Sequence, residues 1–119
     1  KKIKMDFIPT KACIVTDEKW FIFVLEQIIS NALKYTKKGQ ISIYMKEKAL
    51  VIEDTGIGIP AEDLPRIFEK GFTGYNGREN KKSTGIGLYL CKNIMDKLQW
   101  NITVDSEVGS GTKIYLTKM

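Results

Sequence analysis

Two glycine-bearing stretches hold the side chains and bare backbone best suited to chemistry: Glu53-Asp54-Thr55-Gly56-Ile57-Gly58-Ile59-Pro60 and Ser83-Thr84-Gly85-Ile86-Gly87-Leu88. The first sets one carboxylate, Asp54, at the end of the apolar run Leu50-Val51-Ile52 and then lets the chain turn tightly. A carboxylate there accepts hydrogen bonds, and the amino group of adenine is a fitting donor. Such a charge-assisted bond contributes about 1.5–3 kcal/mol. Asp, Thr and Gly also favour turns, so Asp54 taken alone either holds a base or merely opens a turn. The second stretch puts Gly85 and Gly87 at the mouth of an amphipathic segment. Free amides and the positive dipole end of a helix make an anion site there. A lone Gly-x-Gly is also a common loop, but Arg78, Lys81, Lys82, Ser83 and Thr84 beside it favour phosphate. The pair reads as a nucleotide pocket, with an acid for the base and amides for the phosphates.

A third group lies upstream. Gln27, Asn31, Lys34 and Tyr35 fall at i, i+4, i+7 and i+8 and so share one helix face. A polar stripe on an amphipathic helix ordinarily faces solvent. This one is amide, amide, lysine and tyrosine rather than the usual Glu and Lys. An asparagine carbonyl suits a hard cation, and Mg²⁺ takes few protein oxygens and fills its shell with phosphate and water. Lys34 can meet a phosphate and Tyr35 can cover a base.

The elements that must position these groups follow from periodicity and breakers. Residues 3–8 alternate as a strand that Pro9 ends, and 12–16 form a second. Asp17 caps a long helix running to about Thr36, with Gly39 as its stop. Residues 41–45 and 50–52 make a hairpin about Glu47-Lys48. Residues 64–68 predict a short helix, 70–84 a mobile loop, and 87–98 a helix with Leu88, Cys91, Ile94, Met95 and Leu98 on one face. A closing hairpin pairs 102–104 with 112–116 around Gly109-Ser110-Gly111. The expected fold is α+β, a two-layer sandwich of a mixed sheet with about three helices on one face.

Composition narrows the function classes. At 119 residues the chain reads as one domain spanning 1–119. Its net charge of +5 comes from scattered lysines rather than a block, which points to a solvated surface with mild affinity for anions and not to nucleic acid. Cys13 and Cys91 are too few and too far apart for a zinc site or a disulfide framework, which fits a reducing, cytoplasmic setting. There is no histidine, so neither a histidine triad nor a phosphohistidine can form on this sequence. No apolar run is long enough to cross a bilayer, so a soluble piece is expected. The opening Lys1-Lys2-Ile3 suggests a piece cut from something longer.

In this order the pieces resemble the ATP-binding catalytic domain of bacterial sensor histidine kinases, the Bergerat fold shared with DNA gyrase and the MutL repair proteins. Residues 27–36 look like the N box, Asp54 to Ile59 like the G1 box and 66–72 like the F box. Thr84 to Leu88 look like the G2 box, and Gly109-Ser110-Gly111-Thr112 like the closing Gly-x-Gly-Thr. The resemblance implies that Asn31 holds Mg²⁺, Lys34 a phosphate, Tyr35 the adenine face and Asp54 the adenine amino group, with Thr112 helping through water. It implies an ATP lid at about 70–84, and places Gly56, Gly58, Ile59, Phe72, Arg78, Lys82, Ser83, Thr84, Gly85, Ile86, Gly87 and Leu88 around the nucleotide. Its implied partners are a histidine-bearing dimerisation domain and a response regulator. The whole protein would be a membrane-anchored homodimer whose catalytic domain, a monomer alone, lies in the cytoplasm. The wording of 71–78 and 83–90 is most similar to the intramembrane-sensing kinases, which report on antimicrobial peptides and partner with peptide-exporting ABC transporters.

Two departures carry information. Most histidine kinases have asparagine where Gln27 stands, while ATPases and serine kinases of the superfamily use a glutamate base there. Glutamine cannot take a proton, which disfavours both. Ser83 replaces a glycine of many relatives and stiffens the lid's hinge. Phe68 and Phe72 can dock on the dimerisation domain or belong to the core. Against a catalytic kinase stands a nucleotide-binding module without catalysis, against which Asn31 and Lys34 argue.

Overall fold

The computed structural model describes residues 2–7, 18–36, 38–70 and 87–118. The expected strand at 12–16, the cap Asp17 and most of the expected lid fall outside these residues. Five strands form one sheet: β1 Lys2–Phe7, β2 Lys38–Lys46, β3 Ala49–Asp54, β4 Trp100–Glu107 and β5 Gly111–Lys118. Their order is β1-β2-β3-β5-β4. β1 and β2 run parallel and every other pair antiparallel, so the sheet is mixed.

Helices α1 (Glu18–Tyr35) and α2 (Gly87–Lys97) cover one face of the sheet. α1 buries Phe21, Val24, Ile28 and Ala32, a stripe at helical spacing, and Lys34 in its last turn complements the dipole. α2 buries Cys91 and Met95, with Ile94 and Leu98 packed partly buried beside them. Leu50 and Ile52 of β3, Ile102 of β4 and Ile114 and Leu116 of β5 meet them, two residues apart as a one-faced strand requires. The Phe21 and Trp100 rings lie 4.9 Å apart across the two layers. Cys91 belongs to this core. Burial pushes its thiol up to about 12, so it stays protonated and unreactive.

The other face of the sheet carries Tyr44, Glu53 and the buried Val51. There Tyr44 donates to Glu53 Oε1 at 2.6 Å, and chiefly that bond raises the phenol to about 12.

Two expectations change. Residues 64–68 do not form an α-helix but a single 3₁₀ turn, Leu64–Arg66. Its bonds are the short-span Arg66 N–H to Asp63 O and Glu69 N–H to Arg66 O. With such short-span bonds closed here, the described residues carry two α-helices rather than about three. Gly39 is not a helix stop: α1 ends at Tyr35 and Gly39 lies inside β2, where Thr55 Oγ1 occupies the place a side chain would take. Phe68 packs half-buried against the core, which favours the core reading of that ring.

Candidate nucleotide site

The sheet register builds the acid end of the site. Asp54 at the end of β3 pairs with Thr112 of β5, and Thr112 with Ser106 of β4, so the three stand abreast at one sheet end. Alternation along β3 turns Asp54 to the same side as Leu50 and Ile52, toward the helices. Asp54 Oδ1 accepts a hydrogen bond from the Gly56 amide at 2.9 Å. Burial raises the carboxyl above its ordinary range. The Gly56 amide, the Thr112 backbone and the Thr36 hydroxyl oppose that rise, while the neighbouring Glu53 charge adds to it.

The loop after Asp54 is pinned from three sides. Ile57 N–H donates to Tyr35 O at the end of α1. Thr55 N–H donates to Gln40 O of β2, and Gln40 N–H to Thr55 Oγ1. Ile59 N–H donates to Ser106 Oγ at 2.8 Å, and Gly109 N–H to Ile57 O. The loop can come so close to α1 because residue 56 is glycine. A methyl there would lie 2.5 Å from Tyr35 O, 2.7 Å from Thr36 Oγ1 and 2.9 Å from Asp54 Oδ1.

The α1 stripe reaches the same region. Gln27, Asn31, Lys34 and Tyr35 are all half-buried, and Lys34 Nζ lies 5.6 Å from the centre of the Tyr35 ring. Gln27 Oε1 faces the first residue of α2, 3.0 Å from where a Cβ on Gly87 would stand. Glu26 beside it is exposed. The structure therefore joins Tyr35, Asp54, Gly56 and Thr112 at one end and Gln27 with Gly87 at the other. Gly58 is buried, and Ile59 and Leu88 are half-buried. Phe72, Arg78, Lys82, Ser83, Thr84, Gly85 and Ile86 lie outside the described residues.

Two residues at the site have no individual role in the sequence motifs. Ser106 accepts from Ile59 N–H, lies 2.9 Å from Gly111 O and 2.8 Å from Thr112 Oγ1, and so couples the loop to the threonine beside Asp54. Only the strand register reveals it. Thr36 closes the N box, and its side chain is fully buried against Gly56.

Among the described residues no three His, Cys, Asp or Glu side chains gather to hold a metal. A half-buried amide, Asn31, with no carboxylate cage fits Mg²⁺ that takes most of its oxygens from phosphates and water.

A two-layer α+β domain with an acid, a glycine loop and a polar helix face at one sheet end defines the class, and comparison agrees. Residues 16–119 match the family of histidine kinase-, DNA gyrase B-, and HSP90-like ATPases, and the chain belongs to that family. It is 41% identical over 115 residues to the sensor histidine kinase YxdK of Bacillus subtilis, covering 89% of this chain and 35% of that protein. It is 44% identical over 108 residues to the sensor protein BceS of Halalkalibacterium halodurans, covering 87% and 32%. To the sensor histidine kinase GraS of Staphylococcus haemolyticus it is 44% identical over 114 residues, covering 92% and 33%. The chain thus spans about a third of the length of these relatives. Among solved structures, the catalytic domain of histidine kinase ThkA superposes with a TM-score of 0.75 at 22% identity, covering 98% of this chain and 78% of that one. The mycobacterial sensor histidine kinase MprB gives 0.72 at 22% identity, covering 97% and 78%. These two bear on the fold alone.

Proposed function

We propose that residues 1–119 are the single ATP-binding catalytic domain of a sensor histidine kinase. It passes the γ-phosphoryl group of ATP to a histidine on the kinase's own dimerisation domain, for relay to an aspartate of a response regulator. The observation that carries this reading is the Asp54 carboxylate. It is held by the Gly56 amide beside Thr112, at the sheet end where α1 brings Tyr35 against the same loop. Asp54 accepts the purine amino group and Tyr35 covers the ring. Lys34 and the amides before Gly87 hold the phosphates. Asn31 holds Mg²⁺, which when bound neutralises phosphate charge and orients the triphosphate.

Gln27 facing Gly87 and the exposed Glu26 favour a kinase over a hydrolase. Neither supplies a general base to activate water or serine, and a neutral imidazole acceptor needs none. In the transfer the γ-phosphorus leaves the bridging oxygen, whose electron pair stays with ADP, and bonds to the unprotonated nitrogen of a neutral imidazole; the proton on the ring's other nitrogen then passes to solvent.

Among the described residues no helix is long and apolar enough to cross a membrane. In the whole protein the membrane anchor, the dimerisation domain and the sensor lie on other segments. We further propose a sensor of antimicrobial peptides that works with a peptide-exporting ABC transporter, a reading that rests on the wording of residues 71–78 and 83–90.

The test mixes this chain with γ-labelled ATP, Mg²⁺ and a fragment carrying the histidine-bearing helix of the same protein. Label should appear on that fragment and be lost in acid, as a phosphohistidine is. The chain by itself should stay unlabelled, since it contains no histidine. Tight ATP binding with no transfer would leave a nucleotide-binding module instead.

A further inference from the structure

We infer that Thr36 is a positioning residue for purine recognition: its hydroxyl, with the Gly56 amide, orients the Asp54 carboxylate toward the amino group of the base. The inference rests on the nucleotide reading of the site and gives a role to a residue that this reading leaves without one.

Thr36 is fully buried, and beyond its approach to the Asp54 carboxyl its Oγ1 makes no well-formed hydrogen bond among the described residues. The other buried side-chain atom in that condition, the Trp100 indole nitrogen, belongs to the interior of the core. The Thr36 hydroxyl instead belongs to the candidate site. Gly39 and Gly56 bracket the side chain. The methyl Cγ2 lies 3.6 Å from where a Gly39 side chain would begin, and Oγ1 lies 2.7 Å from where a Gly56 side chain would begin. The methyl is thereby turned to β2 and the hydroxyl to the loop.

At that same point over Gly56 stands Asp54 Oδ1, at 2.9 Å, which already accepts the Gly56 amide. The third oxygen there, Tyr35 O, accepts from Ile57 N–H. A carbonyl and a carboxylate can only accept, so the Thr36 hydroxyl is the one group of the three that can donate. Its proximity helps keep Asp54 charged against the effect of burial. The Thr36 hydroxyl and the Gly56 amide thus stand as two donors beside the same carboxylate.

A hydroxyl without any such task predicts the opposite of a positioning residue. Valine has the same shape, and replacing an idle buried hydroxyl with it is neutral or stabilising and leaves binding alone.

The experiment titrates ADP-Mg and its purine-riboside analogue, which lacks the amino group, into the unsubstituted chain, Thr36→Val and Thr36→Ser by calorimetry. Thermal midpoints without nucleotide are recorded beside them. Thr36→Val should weaken ADP on the order of tenfold, the scale of a hydrogen bond to a charged group. It should leave the analogue's affinity unchanged and the midpoint equal or higher. Thr36→Ser should keep the preference for ADP. An unchanged affinity in Thr36→Val, or an equal loss for both ligands, overturns the inference while the nucleotide reading stands. Failure of the unsubstituted chain to bind ADP overturns both. Should the valine variant not fold, Thr36→Ser against Thr36→Ala isolates the hydroxyl, because both lack the methyl.

Discussion

Asp54, the group proposed to meet the purine, shows at the scale of one residue how a carboxylate is held at a cost to the empty protein. Burial outweighs the hydrogen bonds on its carboxyl, so the folded chain binds that proton more tightly than the unfolded chain, whose value is near 3.8. Across the window from 3.8 upward to the raised value, the folded state carries more protons. Stability due to this group therefore falls as pH rises through the window and stays lost at neutral pH. Asp54→Asn removes the charge and keeps an oxygen for the Gly56 amide. Its nucleotide-free thermal midpoint at pH 7 should exceed that of the unsubstituted chain, with the gap narrowing as pH falls toward 3.8. Its ATP affinity should drop at least about tenfold through loss of a charge-assisted bond. Melting curves across pH and calorimetry check the two halves separately. A lower midpoint at pH 7 would mean that the hydrogen bonds, not desolvation, dominate at Asp54.

The elements act on that carboxylate through backbone contact, and the closing hairpin is where this can be tested. Gly109 (φ 88) and Gly111 (φ 118) both adopt the left-handed region that favours glycine, but their surroundings differ. Nothing lies within 4 Å of where a Gly109 side chain would start, whereas one at Gly111 would run into the backbone carbonyl of Asp54. Gly109→Ala should cost only the left-handed conformation, about 1–2 kcal/mol. Gly111→Ala should cost roughly 1–3 kcal/mol more, as an overpacked site does, and should weaken ATP binding by pushing β5 from β3. Urea unfolding of the two variants gives the difference. The sequence makes part of this arrangement readable. The α1 stripe, the two hairpins and α2 follow from local periodicity, because burying one face imposes it. The strand order β1-β2-β3-β5-β4 does not, since it depends on pairings between distant segments. For the same reason the motifs identify Asp54 and Thr112, but Ser106 emerges only when β4 lies in register beside β5. At residues 64–68 the apolar spacing suits a helix, but the chain closes short-span bonds there and makes one 3₁₀ turn.

For the molecule as a whole, the site lies at the seam of its two layers. Loop 55–59 is bonded to α1 on one side and to the β4–β5 hairpin on the other. A nucleotide bound as proposed, in contact with α1, Asp54 and the start of α2, would tie both helices to the sheet, and unfolding would have to release it. Ligand at a hundred times its dissociation constant contributes about 2.7 kcal/mol. For a chain of this size that raises the thermal midpoint by on the order of 10 °C. Magnesium accounts for part of the rise if Asn31 holds it, so a chelator should shrink the shift given by ATP. Asn31→Ala with ATP and Mg²⁺ should then melt with the reduced shift of the unsubstituted chain in chelator, and chelator should change the variant no further. Thermal melts of the two proteins, each with and without EDTA, measure this. A chelator effect of full size in Asn31→Ala would place the cation on another group, while no shift with ATP in the unsubstituted chain would remove the nucleotide from the seam altogether.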